Sequence, residues 1–113
     1  MATNEQLLDR VREALKYLPS VEEKRMFGGI CFMVDEKLCI CVNMHEILCR
    51  IDPQEFESAL ATDGVRAMKQ GERTAKGYIF IHEDVLNHQK DFEYWVEKAL
   101  AYNKIAKASI KRK

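Results

Sequence analysis

The chain has few of the residues from which most catalytic signatures are assembled, with only five glycines, three serines and three histidines in 113 residues. The glycines (Gly28, Gly29, Gly64, Gly71, Gly77) spell neither a P-loop nor G-x-G-x-x-G, which removes the two commonest phosphate-cradling loops. Ser20, Ser58 and Ser109 are the available hydroxyl nucleophiles of their type, and none sits in G-x-S-x-G. His82-Glu83 begins like a zincin motif, but Leu86 stands where the second histidine belongs. His45-Glu46-Ile47-Leu48-Cys49, placed on a strand, would hold its ends about 13 Å apart, too far to chelate one ion. No apolar run approaches the ~20 residues that span a bilayer. The start, MATNEQLLDR, lacks the basic and apolar regions of a secretory signal, so a cytoplasmic location without membrane contact is expected.

What is present suits one globular domain: 47% hydrophobic and 32% charged residues, with a formal net charge of zero. Neutrality argues against a dedicated nucleic-acid binder with a broad basic face. The charge is uneven, however. Lys104, Lys107, Lys111, Arg112 and Lys113 crowd the last ten residues, leaving 13 basic against 18 acidic groups in residues 1–103. Residues 1–103 are expected to form the domain, and 104–113 a basic tail whose contact with nucleic acid would be weak and salt-sensitive.

Thr3-Asn4-Glu5-Gln6 reads as a capping box, and Leu7, Leu8, Val11, Ala14, Leu15 and Leu18 then recur at helical spacing until Pro19. Three strands follow, Ile30–Val34, Leu38–Val42 and Ile47–Ile51, joined by tight turns at Asp35-Glu36-Lys37 and Asn43-Met44-His45. Gly28-Gly29, inside the first of these strands, marks a bend or the close approach of another backbone. Asp52 caps a second helix opened by Pro53 and stopped at Asp63-Gly64. Strands near Val65–Met68 and Gly77–His82 come next. A last helix, from Asn87 or His88 to near Ala106, carries Phe92, Trp95, Val96, Ala99 and Leu100 inward, with Trp95 as a core anchor. The order α-β-β-β-α-β-β-α predicts an α+β fold, a two-layer sandwich of helices on an antiparallel sheet.

Cys31, Cys39, Cys41 and Cys49 invite a zinc site, but two-residue loops at or close to Asp35-Glu36 and Met44-His45 place Cys31 and Cys49 on one face, flanking Ile40, and turn Cys39 and Cys41 to the other. Four thiolates then cannot converge, and no C-x₂-C knuckle exists. The expectation is four reduced, packed thiols and no metal or cofactor.

Met26-Phe27-Gly28-Gly29, Asp35 and Lys37 around a turn, Lys76-Gly77-Tyr78, and Trp95 before Ala99-Leu100 together resemble the N-terminal domain of the TfoX/Sxy family, from about Ser20 to Tyr102. The resemblance implies the two-layer fold. In members with a second domain it implies a role in natural-competence regulation with a transcription factor. Only 11 residues follow Tyr102, so no second domain is expected and the expected function is a non-enzymatic regulatory or protein-interaction module with an unidentified protein partner. Arg25, Arg73 and Lys76 lie where the TfoX-like pattern also carries basic groups, and form a candidate anion- or partner-binding patch, with Arg50 as a further residue of interest. Gly28, Gly29, Gly77 and Trp95 are the structural positions. Two alternatives are a weak nucleic-acid accessory protein and an enzyme with a Cys/His site, which would converge only in space. A homodimer pairing through the edge of Gly77–His82 is a further candidate.

Overall fold

In the computed structural model, which describes residues 4–26 and 28–106, the first helix, α1, spans Glu5–Leu15. Its N-cap is Asn4, whose side-chain oxygen accepts from the Leu7 amide at 3.1 Å. The capping box expected from Thr3 is displaced by one residue, and Thr3 itself lies outside the described residues. Asn4 Nδ2 also donates to the Met44 carbonyl and to Glu83, tying the helix start to the β3–β4 loop and to the segment after β6.

Six antiparallel strands follow the order β1-β2-β3-β4-β6-β5. They are β1 (Val21–Met26), β2 (Gly29–Val34), β3 (Lys37–Val42), β4 (Glu46–Arg50), β5 (Val65–Gln70) and β6 (Arg73–His82). Strand β1 was not expected. VEEKRM shows no alternation of apolar and polar residues because it is an exposed edge strand that takes its order from pairing with β2. Gly28 lies in the β1–β2 turn beside Phe27, which is outside the described residues, and Gly29 opens β2. A Cβ on Gly29 would fall 2.1 Å from the Val42 carbonyl oxygen, so the close approach expected of this pair is met there.

Between β4 and β5 a 3₁₀ turn, Pro53–Glu55, runs into α2, Phe56–Leu60, with Asp52 as the cap bonded to the Gln54 amide. The short α3, Glu83–Leu86, precedes α4, Gln89–Asn103. Lys104–Ala106 continue α4 as a turn with Ala106 buried, and the rest of the expected tail, 107–113, lies outside the described residues. No helix among the described residues is long and apolar enough to cross a membrane.

The helices cover one face of the sheet. The main core there joins Leu7, Leu8, Val11 and Leu15 of α1, Phe92, Trp95, Val96 and Ala99 of α4, and alternate strand residues such as Ile40, Ile47, Ile79 and Ile81. A second apolar cluster, Cys31, Met33, Leu38, Cys41, Leu48 and Met68, draws on strands alone, so it occupies the opposite face. Met26, Ala75, Tyr78 and Phe80 pack against it.

The cysteines sit differently from the expected arrangement. The Asp35-Glu36 turn has the expected two residues, with Val34 opposite Lys37, but one residue later the register slips. Met33 faces Leu38 and Phe32 faces Ile40, leaving Cys39 as the extra residue of a β-bulge. Beyond the bulge Cys31 lies opposite Cys41 on the strand-only face, and a disulfide joins them. Cys39 and Cys49 are free thiols in the main core. The expectation of four reduced thiols is therefore corrected, because one inserted residue on β3 moves Cys31 from a place opposite Ile40 to one opposite Cys41.

Candidate functional site

The amphipathic α1 and α4 bury one stripe each, and their adjoining flanks leave a groove of about 630 Å³ between them. On α1 it is bounded by Asp9, Arg10, Glu13 and Ala14, residues at i, i+1, i+4 and i+5 that line one flank of the helix. On α4 the spacing of Gln89, Phe92, Glu93, Val96, Glu97 and Leu100 supplies the facing ridge. Phe92, Val96 and Leu100 form the apolar floor, and Ala14 leaves it open because its side chain ends at Cβ.

The rim is acidic. Four carboxylates, Asp9, Glu13, Glu93 and Glu97, face one guanidinium, Arg10. Arg10 is already engaged, its guanidinium carbon 4.2 Å from the centre of the Phe92 ring and its terminal nitrogen donating to Gln89 Oε1 at 3.1 Å. Gln89 in turn donates to Glu93 at 3.1 Å. Asp9 and Glu13 share charge with Arg12 of α1 and with Lys16 at its C-cap, at 3.6 and 2.6 Å. Glu97 has no hydrogen-bond or ion-pair partner among the described residues. It also borders a smaller cleft on the other flank of α4, near Tyr94, Lys98, Tyr102 and Ile105. There Lys98 donates to Glu55, and that hydrogen bond raises the Lys98 pKa above its ordinary value.

The basic residues singled out in the sequence do not line this groove. Arg25 is exposed on the edge strand β1, whereas Arg73 and Lys76 share the distal half of β6, beyond the stretch 78–82 that pairs with β4. Strands β2, β3 and β4 stand between β1 and β6, about 19 Å of sheet at ordinary strand spacing. Among the described residues none of these three forms an ion pair. Arg50 lies over both the Tyr78 and Tyr102 rings, at 5.6 and 5.5 Å from their centres. The Gly77 carbonyl accepts from the Ile51 amide at 2.7 Å, and the φ of Gly77, +91°, is one that L side chains rarely adopt. Trp95 is buried in the main core.

The thiols and imidazoles are segregated. Burial pushes the Cys39 thiol up to about 12 and the Cys49 thiol well above its usual value, so neither is a thiolate near neutrality. His45, His82 and His88 are exposed. His45 faces Glu83 at 3.0 Å, and His82 accepts from the Asp84 amide as the cap of α3. Cys49 stands three rungs of the β4–β6 ladder from His82. Among the described residues no group of three or more His, Cys, Asp or Glu side chains gathers to hold a metal ion.

Lys37 explains one of the sequence motifs. Its Nζ donates to the Asn103 carbonyl at 2.6 Å, and Asn103 Nδ2 donates back to the Val34 carbonyl at 3.2 Å. The β2–β3 turn thus closes the C-terminal end of α4. With the turn, the glycine pair, the β6 glycine and the buried tryptophan all in place, a family model for the TfoX N-terminal domain matches residues 13–102. The chain belongs to this family. No curated protein and no solved structure matches it. The motif residues of this TfoX-type domain that the structure explains hold turns, a helix end and the core, and of the groove's lining only Leu100 belongs to those motifs. Sequence reasoning missed the groove because it followed the buried stripes of α1 and α4. The available signal was the repeated acidic pair at i, i+4 on each helix, Asp9 with Glu13 and Glu93 with Glu97.

Proposed function

We propose that this TfoX N-terminal domain is a non-enzymatic regulatory module that works by binding another protein through the α1–α4 groove. The observation that carries the reading is the groove itself, an apolar floor of Phe92, Val96 and Leu100 held open between two helices and rimmed by charge. An apolar strip with a polar rim is the usual anatomy of a helix- or peptide-binding surface. Membership of the family supports a regulatory setting of the competence type. The high, protonated state of both free thiols and their separation from the histidines favour binding over nucleophilic chemistry.

The test places a photo-crosslinking residue at Glu97 in cells of the source organism. A discrete adduct is expected there and not with the same residue at Lys69, which is exposed on β5. Ala14→Trp, which fills the groove from an exposed position, should abolish the adduct while leaving thermal unfolding unchanged. Adducts indifferent to Ala14→Trp, or equal at Lys69, would reject the groove as the working surface.

A further inference from the structure

Resting on the groove's being a binding surface, we infer that its occupant is a cationic amphipathic helix, with apolar residues at i, i+3, i+4 and i+7 and Lys or Arg on its flanks. The floor supplies the apolar half of this recognition. Phe92, Val96 and Leu100 repeat every four residues along α4 and line the groove's floor, Phe92 and Val96 nearly buried and Leu100 partly exposed, so an incoming helix meets a shallow apolar strip that is open toward Leu100. The rim supplies the sign. Asp9 and Glu13 line one side and Glu93 and Glu97 the other, so a helix lying between α1 and α4 meets carboxylates along both flanks. Arg10, the one cation among the lining residues, is held down over Phe92 and against Gln89 and closes one end instead of competing along the length, while Arg12 and Lys16 share charge with Asp9 and Glu13 from outside the lining. Glu97, without a partner among the described residues, is the rim group with the most to gain from an incoming Lys or Arg.

The same charge pattern decides against a second copy docking groove to groove. Such a pair would set four carboxylates of one copy against four of the other, which costs association energy instead of supplying it. It also decides against an acidic peptide or a phosphate-bearing ligand. A free apolar small molecule would use the floor and leave the rim idle.

The 113-residue chain is titrated into a fluorescein-labelled 15-residue peptide with leucine at i, i+3, i+4 and i+7 and lysine elsewhere, and binding is followed by anisotropy at low and high salt. Saturable binding is expected, weaker by about tenfold or more for the same peptide with glutamate replacing lysine. The double variant Glu93→Lys, Glu97→Lys should weaken the lysine peptide by a similar factor, and Ala14→Trp should remove binding. Glu57→Lys with Glu72→Lys, which change net charge equally away from the groove, should not. Equal weakening by that control pair would reduce the effect to net charge and overturn the inference. So would a tenfold gain on deleting residues 107–113, which would make the chain's own basic end the occupant. A crosslink at Glu97 that Ala14→Trp abolishes, alongside no preference for the lysine peptide, would overturn the cationic partner and leave the groove's role standing. Loss of both would remove the groove itself.

Discussion

Asp35 and Glu36 both adopt positive φ, +54° and +68°, in a two-residue hairpin turn of the kind that favours Asn-Gly or Asp-Gly. Glutamate has a Cβ that crowds its own carbonyl in this region, at a cost of about 1–2 kcal/mol. Glu36→Gly is therefore expected to stabilise the domain by about 1 kcal/mol, read as a higher urea midpoint at unchanged slope. Trp95→Ala acts in the other direction. Removing a buried indole from the main core should cost about 3–5 kcal/mol, and a loss below ~1 kcal/mol would show that Trp95 is not a core anchor. For the cysteines, native protein at pH 8 should resist iodoacetamide, since both free thiols are buried and held protonated. Unfolded without reductant it should take up label at Cys39 and Cys49 only, and at all four cysteines after reduction. Uptake at four without reduction would show that Cys31 and Cys41 are not joined. The sequence made these side chains legible as core residues. Their facing was not legible, because a bulge has no fixed residue signature and its position is set by how two strands pack against their neighbours.

At the scale of elements, polar ties between a helix and the sheet recur. The Lys37 and Asn103 exchange joins the β2–β3 turn to the end of α4, and Asn103 is the one buried polar side chain among the core-facing residues of that helix. Asn103→Ala leaves the Val34 carbonyl without its side-chain donor and should destabilise by about 1–2 kcal/mol, whereas an exposed asparagine would change little. Another tie joins α1 to β1, where the Arg12 guanidinium donates two hydrogen bonds to the Glu23 carboxylate at 2.8 and 2.9 Å. That hydrogen bonding holds the Glu23 carboxyl below its ordinary value of 4.5. A lowered carboxyl pKa stabilises the fold above the unfolded value, and the contribution is lost as pH falls from about 4.5 through the folded value. Because the pair is exposed to solvent, Glu23→Gln should cost only about 0.5 kcal/mol at pH 7, and nothing once pH is well below both values. Denaturation of both forms at the two pH values measures this difference.

For the whole molecule, sheet order decides how copies can meet. The candidate pairing strand Gly77–His82 belongs to β6, which lies between β4 and β5, so it has no free edge where it pairs on both sides. Ile79→Lys or Ile81→Lys should unfold the protein instead of splitting a dimer, since both side chains are fully buried. The edges are β1, which carries Glu22, Glu23, Lys24 and Arg25 in succession, and β5, which carries Arg66 and Lys69. Charge of this kind discourages edge-to-edge pairing. Replacing Lys24 with Val and Arg25 with Thr is expected to promote association visible by light scattering across a dilution series, at concentrations where the parent chain shows none.

The sequence by itself determined the parts governed by neighbours along the chain. Helical periodicity placed α1 and α4, Asp52-Pro53 placed the turn into α2, and alternating apolar runs marked the strands that have a buried face. The TfoX-type pattern named the family, although several of its residues act across the fold: Lys37 holds the end of α4 through Asn103, and Trp95 sits in the main core. What the tertiary structure decided depends on distant partners. Strand β1 exists because β2 pairs with it, the bulge at Cys39 reassigns the cysteines, and β6 is interior because β4 and β5 both claim it. The groove belongs to this second group. Asp9, Glu13, Glu93 and Glu97 are ordinary exposed charges on either helix alone, and they form one acidic rim only because packing on a common sheet sets α1 beside α4.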